Sequence, residues 1–295
     1  MHGGHHHHNE EDSDQKIIFA ITINFVLTIS QIIGGVISGS LALIADALHN
    51  LSDAASLVIA FFARKIGRKS ADEFKTFGYK RAEIIASLIN LTLLIVLSLY
   101  LIYEAIWRFI EPVSISGWII VFIAGIAFLI DLYTSIITYK LSHNNMNRRA
   151  AFLHNLSDAL ASIGVIIGGI LIILYNLFWV DALITIAIGL YILWQGIKML
   201  PESINFLMDG TPKGISVSEV KEKIIQFDKV ADTHHIHIWN LDEKRVALEA
   251  HVVVDAKDFT EISEIKRKLK KGLEEDFGID HSTLEFEHKD EDCDD

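Results

Sequence analysis

The 295-residue chain is 51% hydrophobic but only 9% aromatic and 22% charged, an apolar excess that does not suit an ordinary soluble domain. Its formal net charge of −12 argues against nucleic acid and in favour of cations as partners. The one cysteine, Cys293, excludes an intrachain disulfide and an all-thiolate zinc site within one chain.

Residues 1–15 form a His-rich, acidic tail, His2-Gly3-Gly4-His5-His6-His7-His8 and onward. It lacks the basic start and short apolar core of a cleavable signal, so the N-terminus is expected to be retained. Such a tract can loosely chelate metal or can be a purification tag, and it is not expected to be essential. Six stretches near the roughly 20-residue length of a membrane span follow: Lys16 to Ile37, Leu41 to Phe62, Ala82 to Trp107, Ile115 to Tyr139, Arg149 to Tyr175 and Phe178 to Leu200. The connection after the second span carries Arg64, Lys65, Arg68, Lys69, Lys75, Lys80 and Arg81, and the one after the fourth carries Lys140, Arg148 and Arg149. The opposite connections hold almost no positive charge, which places both termini in the cytoplasm.

From Ser216 to His288 the periodicity predicts helix, strand, strand, helix, strand: Glu219 to Phe227, Thr233 to Trp239, Val246 to Val254, Ile262 to Phe277 and Ser282 to Phe286. The expected fold is therefore a membrane all-α six-helix bundle over 16–208, then a small cytosolic α+β (ferredoxin-like) domain over 209–288. An acidic C-terminal tail, 289–295, is expected to be disordered.

The most informative feature is a duplication inside the membrane. Leu48-His49-Asn50-Leu51-Ser52-Asp53-Ala54 in the second span recurs as Leu153-His154-Asn155-Leu156-Ser157-Asp158-Ala159 in the fifth. In each copy His and Asp stand at i and i+4, so both side chains project from one helix face. A buried membrane carboxylate costs about 2.5 to 3.5 kcal/mol on the insertion scale and needs a partner. No Lys or Arg stands at comparable depth, whereas one divalent cation would satisfy both Asp and both His. Two nitrogens and two oxygens suit tetrahedral zinc. A single intramembrane His or Asp is as readily a helix-packing group, but packing alone does not demand the same pair twice. Asn50, Asn155, Ser52 and Ser157 read as supporting hydrogen-bond groups.

These residues carry a resemblance. Ser40-Leu41-Ala42-Leu43-Ile44-Ala45-Asp46-Ala47-Leu48-His49 with Asp53, then Phe77-Gly78-Tyr79 and Arg81-Ala82-Glu83, then His154 with Asp158, then His237-Ile238-Trp239, stand in the order of the cation diffusion facilitator (cation efflux) family. The chain resembles the family's zinc/cadmium/cobalt branch from the first span to about His288. The resemblance implies a transport site at His49, Asp53, His154 and Asp158, the same ferredoxin-like cytosolic fold, and a homodimer through that domain. Manganese-type members have Asp in place of the leading His, so Zn2+, Cd2+, Co2+ or Fe2+ is the expected cargo. Some relatives bind metal after the second span; Asp72 is present here, but Lys75 and Tyr79 replace the expected His residues, and no metal is expected. By position, His234, His251, His281 and Glu287 match a regulatory cytosolic site, although strand histidines serve equally as half-exposed packing residues. Alternation along a strand would separate His234 from His235 and His237. Arg81 and Asp209 match positions that pair charges between the membrane and cytosolic parts.

Metal binds neutral imidazole and ionised carboxylate, so binding and proton release are linked. The expected activity is proton-driven metal export across the plasma (inner) membrane, with no catalytic cofactor. No Walker-type phosphate loop is evident. Asp46, a turn before His49, reads equally as a proton relay or a structural group; Asp131 has no assigned role; Asp181, Glu83 and Glu104 lie near span ends and are expected to face water or one another. A membrane metalloenzyme would need an open coordination position and an adjacent acid or base. A metal sensor would need an output module, which the sequence does not show.

Overall fold

The computed structural model describes residues 7–141, 146–242, 245–256 and 258–288. Six long helices come first: α1 His7–Ser38, α2 Leu41–Gly67, α3 Ala82–Ile110, α4 Gly117–Leu141, α5 Met146–Tyr175 and α6 Trp179–Leu207. They are followed by α7 Val217–Ile225, β1 Val230–Asn240, β2 Val246–Val254, α8 Phe259–Phe277 and β3 Ile279–His288. The chain divides into two compact units, Met1–Val58 with Ile89–Lys198, and Ile59–Leu88 with Met199–Asp295.

Among the described residues five helices are long and apolar enough to cross a membrane: Leu41–Gly67, Ala82–Ile110, Gly117–Ile137, Phe152–Tyr175 and Trp179–Leu207. The apolar run at the end of α1, Phe25–Ser38, is shorter; the expected first span begins earlier, over residues whose side chains lie outside the described set. The helices that outrun their expected spans the most are α1 and α6. The helix of α1 continues back to His7. At the other end, α6 continues past Pro201 to Leu207.

In the first unit α2 sits between two clusters. One face puts Ala42 and Leu43 against Ile115 just before α4, Ile120 and Ala124 of α4, and Val165 and Ile172 of α5. Another puts Leu41 and Ala45 against Leu101 and Ala105 of α3 and Ala182 of α6. Small residues on α2 let its backbone approach both neighbours, as membrane helix packing favours. Between α4 and α5, a Cβ on Gly117 would stand 2.7 Å from the Gly169 carbonyl oxygen, so only glycine fits there.

Asp181 corrects an expectation. It is 2% exposed and, from α6, caps α2: its carboxylate accepts from Ser40 Oγ at 2.5 Å and Leu41 N at 2.8 Å. The free N–H groups at that helix start need an acceptor away from water. Glu104 does not meet it; it accepts from Arg108 Nε at 3.0 Å.

In the second unit the sheet order is β1-β2-β3. β1 and β2 are antiparallel, and β2 and β3 are parallel, joined by the α8 crossover. Val220 and Ile224 of α7 and Ile265, Leu269 and Leu273 of α8 bury against Leu248, Ala250 and Val252 of β2. Each of these buried Val, Leu and Ile side chains contributes roughly 1.5 to 3 kcal/mol. Ser216 and Asp258 cap α7 and α8, and Gly278, at φ 68°, ends α8 and turns the chain straight into β3.

Candidate metal-transport site

The duplicated motifs meet. The shortest contacts run crosswise between α2 and α5: His154 Nε2 lies 2.9 Å from Asp53 Oδ2, and His49 Nε2 lies 3.3 Å from Asp158 Oδ1. Within each helix the separations are longer, 3.8 Å for His49 to Asp53 and 3.6 Å for His154 to Asp158. Crosswise pairing is what two antiparallel helices carrying one i, i+4 motif produce, because each His comes level with the other helix's Asp. The His49 and His154 rings lie 5.7 Å apart at 64°.

The spacing suits one small cation. Tetrahedral ligands at about 2.0 to 2.2 Å from zinc stand roughly 3.3 to 3.6 Å from each other, and the four His to Asp separations bracket that range. Donor atoms of His49, Asp53 and His154 all lie within 4.8 Å of one another. Among the described residues neither buried ring nitrogen of His49 makes a well-aligned hydrogen bond, and Nε2 has only the 3.3 Å approach to Asp158 Oδ1. An imidazole left so in a protein interior is costly unless something else engages it.

The site has a closed tier and an open tier. The His49 and Asp158 side chains keep 10% and 12% of their surface exposed, against 45% for Asp53 and 42% for His154. Supporting groups surround the closed tier. Gln31 Nε2 donates to Asp46 Oδ2 at 2.6 Å, and Asn50 Nδ2 donates to Gln31 Oε1 at 3.2 Å. Asp131, 7% exposed, accepts from Ser162 Oγ at 3.3 Å. Gln31 and Ser162, and Tyr191 with its ring 6.5 Å from that of His49, carry no motif and were invisible in the sequence.

A second group forms on the sheet. His251 Nδ1 lies 2.5 Å from Glu287 Oε1, His234 Nε2 lies 3.3 Å from Glu287 Oε2, and His251 Nε2 lies 3.6 Å from Glu285 Oε2. His235 joins them, its ring 5.0 Å from that of His251. Strand alternation does not hold here, because β1 is bulged between His234 and His237 and His235 adopts φ 48°; a bulge re-aims side chains. His281 stands apart. It pairs with Ala247 while Glu285 pairs with His251, four residues or about 13 Å along the strand, and its ring packs against Phe77 at 6.2 Å.

Arg81 Nη2 donates to Asp209 Oδ1. In the connection after α2, Asp72 accepts from Phe74 N, Lys75 N and Tyr79 Oη, the last at 2.5 Å. Tyr79, standing where a His ligand was expected, thus engages the Asp72 carboxylate. That bond first, and then the two backbone bonds, hold the Asp72 carboxyl below the usual carboxylate range. Residues 1–6 of the His-rich tail, and 289–295 with Cys293, lie outside the described residues.

Apolar helices of spanning length around a half-buried His and Asp group define an integral membrane protein of the metal-carrier class. The chain matches the cation efflux transmembrane domain over residues 17–208 and the cation efflux protein cytoplasmic domain over 212–289. It belongs to the cation efflux family, whose members are transporters, on the zinc/cadmium/cobalt side that the motifs indicated. It is 38% identical over 291 residues to the cadmium, cobalt and zinc/H(+)-K(+) antiporter of Bacillus velezensis, covering 96% of this chain and 92% of the relative. With the protein of the same name in Bacillus subtilis it shares 40% identity over 262 residues, 88% of this chain and 84% of the relative. With the metal cation efflux system protein CzcD of Cupriavidus metallidurans it shares 34% over 287 residues, 97% and 90% respectively.

Proposed function

We propose that this protein exports zinc from the cytoplasm in exchange for protons, with cadmium, cobalt and iron as competing cargo, through His49, Asp53, His154 and Asp158. The observation that carries the reading is the crosswise His to Asp pairing of α2 and α5, at 2.9 and 3.3 Å. Metal arriving at the four side chains displaces protons from the imidazoles, and protons from the far side displace the metal. Six spans with both termini cytoplasmic put Asp53 and His154 nearer the cytoplasm than His49 and Asp158. The open tier would then be the cytoplasmic entrance. The relatives' names, antiporters of cadmium, cobalt and zinc, favour the same exchange.

The proposal extends to the whole chain. A six-span bundle over 16–208 in the plasma (inner) membrane carries the cargo, with His-rich residues 1–15 before it. A ferredoxin-like cytosolic layer over 209–288 dimerises the protein, ahead of the acidic tail 289–295. The described sheet has three strands, so the layer is a shortened form of that fold. His234, His251 and Glu287 hold a regulatory metal there, supported by donors within 4.8 Å of one another. Arg81 and Asp209 form the charge pair between membrane and cytosolic parts; reversing either charge should impair transport, and a double reversal that restores nothing would count against it.

The test is zinc uptake into inside-out vesicles under an imposed pH gradient, with internal pH followed by a trapped dye. Zinc entry coupled to proton exit, reversing with the gradient, is expected. Zinc binding without movement, or movement indifferent to the gradient, would defeat the proposal.

A further inference from the structure

The two residues that follow β1 are buried, Leu241 at 5% and Asp242 at 7% exposed, whereas connections between strands ordinarily lie in solvent. Asp242 partly closes the turn by itself, accepting from Arg245 N at 3.0 Å and from Arg245 Nε at 2.6 Å. Its Oδ2 also accepts from Lys80 Nζ, 2.9 Å away and 162 residues earlier in the chain. The neighbouring cation, Arg81, reaches the Asn240 carbonyl at 3.5 Å. Lys80 and Arg81 directly precede α3, which starts at Ala82.

We propose that Lys80 and Asp242 form a second tie, distinct from Arg81 with Asp209, that fixes the pose in which α3 leaves the cytosolic layer during transport. Arg245 already neutralises Asp242, so Lys80 is not required to compensate a buried charge; what it adds is attachment. One tether is a pivot, about which the α2–α3 connection could still swing. Two adjacent cations reaching different partners, the residue just past α6 and the turn of the hairpin, define an axis and restrict rotation as well as translation. Lys80 is a positioning residue: it touches no cargo ligand, and its loss should slow the moving step without weakening metal binding. Nothing in the sequence pointed to this pair, because neither residue belongs to a motif.

The inference rests on the transport reading, and the experiment separates the two. Full-length protein in lipid vesicles carries Lys80→Gln, Lys80→Glu or Lys80→Arg, and two quantities are read: hydrogen exchange at the turn amides of Leu241 and Arg245, and the zinc dependence of flux. Lys80→Gln should speed exchange and lower the maximal rate by about two- to fivefold, as for a half-exposed ion pair. Lys80→Glu, which faces Asp242 with a like charge, should exceed that, and Lys80→Arg should stay near wild type, with half-saturating zinc unchanged throughout. Unaltered exchange in Lys80→Glu would overturn the tie. A shift in half-saturating zinc with no change in maximal rate would overturn its positioning role. If wild type carried no zinc, the transport reading would fail by itself, and the order of exchange would still decide whether the tie exists.

Discussion

Two clusters of histidine and carboxylate are built in this chain on opposite principles. The one in the spans is held by two helices that each repeat a His-x-x-x-Asp unit, and its pairs form across the helices at 2.9 and 3.3 Å. The one on the sheet gathers His234, His235, His251, Glu285 and Glu287 from three strands, with its geometry set by a bulge in β1. In hydrocarbon a carboxylate without a partner costs enough to make four converging donors meaningful; at a cytosolic surface water can always stand in. The same residue types therefore carry different weight by location. In the proposed function, cargo handling falls to the first cluster and modulation to the second.

The largest effect that would break this contrast is on flux. Asp53→Ala and Asp158→Ala should each lower zinc transport in vesicles more than about 100-fold, since even indirect partners of metal ligands cost about 10- to 100-fold. Either variant transporting near the wild-type rate would remove the site from the membrane. His49→Asp replaces a nitrogen donor by an oxygen and should move preference from zinc towards manganese on the order of tenfold, measured by competing ions. On the sheet, His251→Ala should leave maximal flux within about threefold of wild type. It should also remove the sheet cluster's share of the zinc-dependent stabilisation, about 2.7 kcal/mol when zinc is 100 times that site's dissociation constant. The smallest effect lies outside both clusters. Asp72 is held below its ordinary range by Tyr79, so its contacts are present above the usual carboxylate titration and lost only as pH falls through the depressed value. Tyr79→Phe should raise that midpoint towards the ordinary range, read by carbon-detected NMR titration of Asp72.

The membrane cluster was legible because duplication is a sequence property and helical spacing is fixed. Its closed and open tiers were not, since they depend on how α2 packs between its neighbours. Asp181 was misjudged because a residue near a span end looks solvent-facing until the orphan N–H groups of another helix claim it. The sixth span was expected to end at Leu200, yet α6 runs on through Pro201 to Leu207, an interior proline that removes one hydrogen bond without ending the helix. The sheet was expected from alternation, and His234, His251 and Glu287 do meet. His281 does not join them because register, not parity, sets distance along a strand.

Zinc K-edge absorption on protein whose sheet cluster has been removed by His234→Ala and His251→Ala reads the coordination sphere in the spans alone. One zinc per chain, bound by two imidazole nitrogens and two carboxylate oxygens at about 2.0 to 2.2 Å, is the predicted result. A spectrum of six oxygens, or a bound zinc that persists unchanged when His49 and His154 are also replaced, would contradict it.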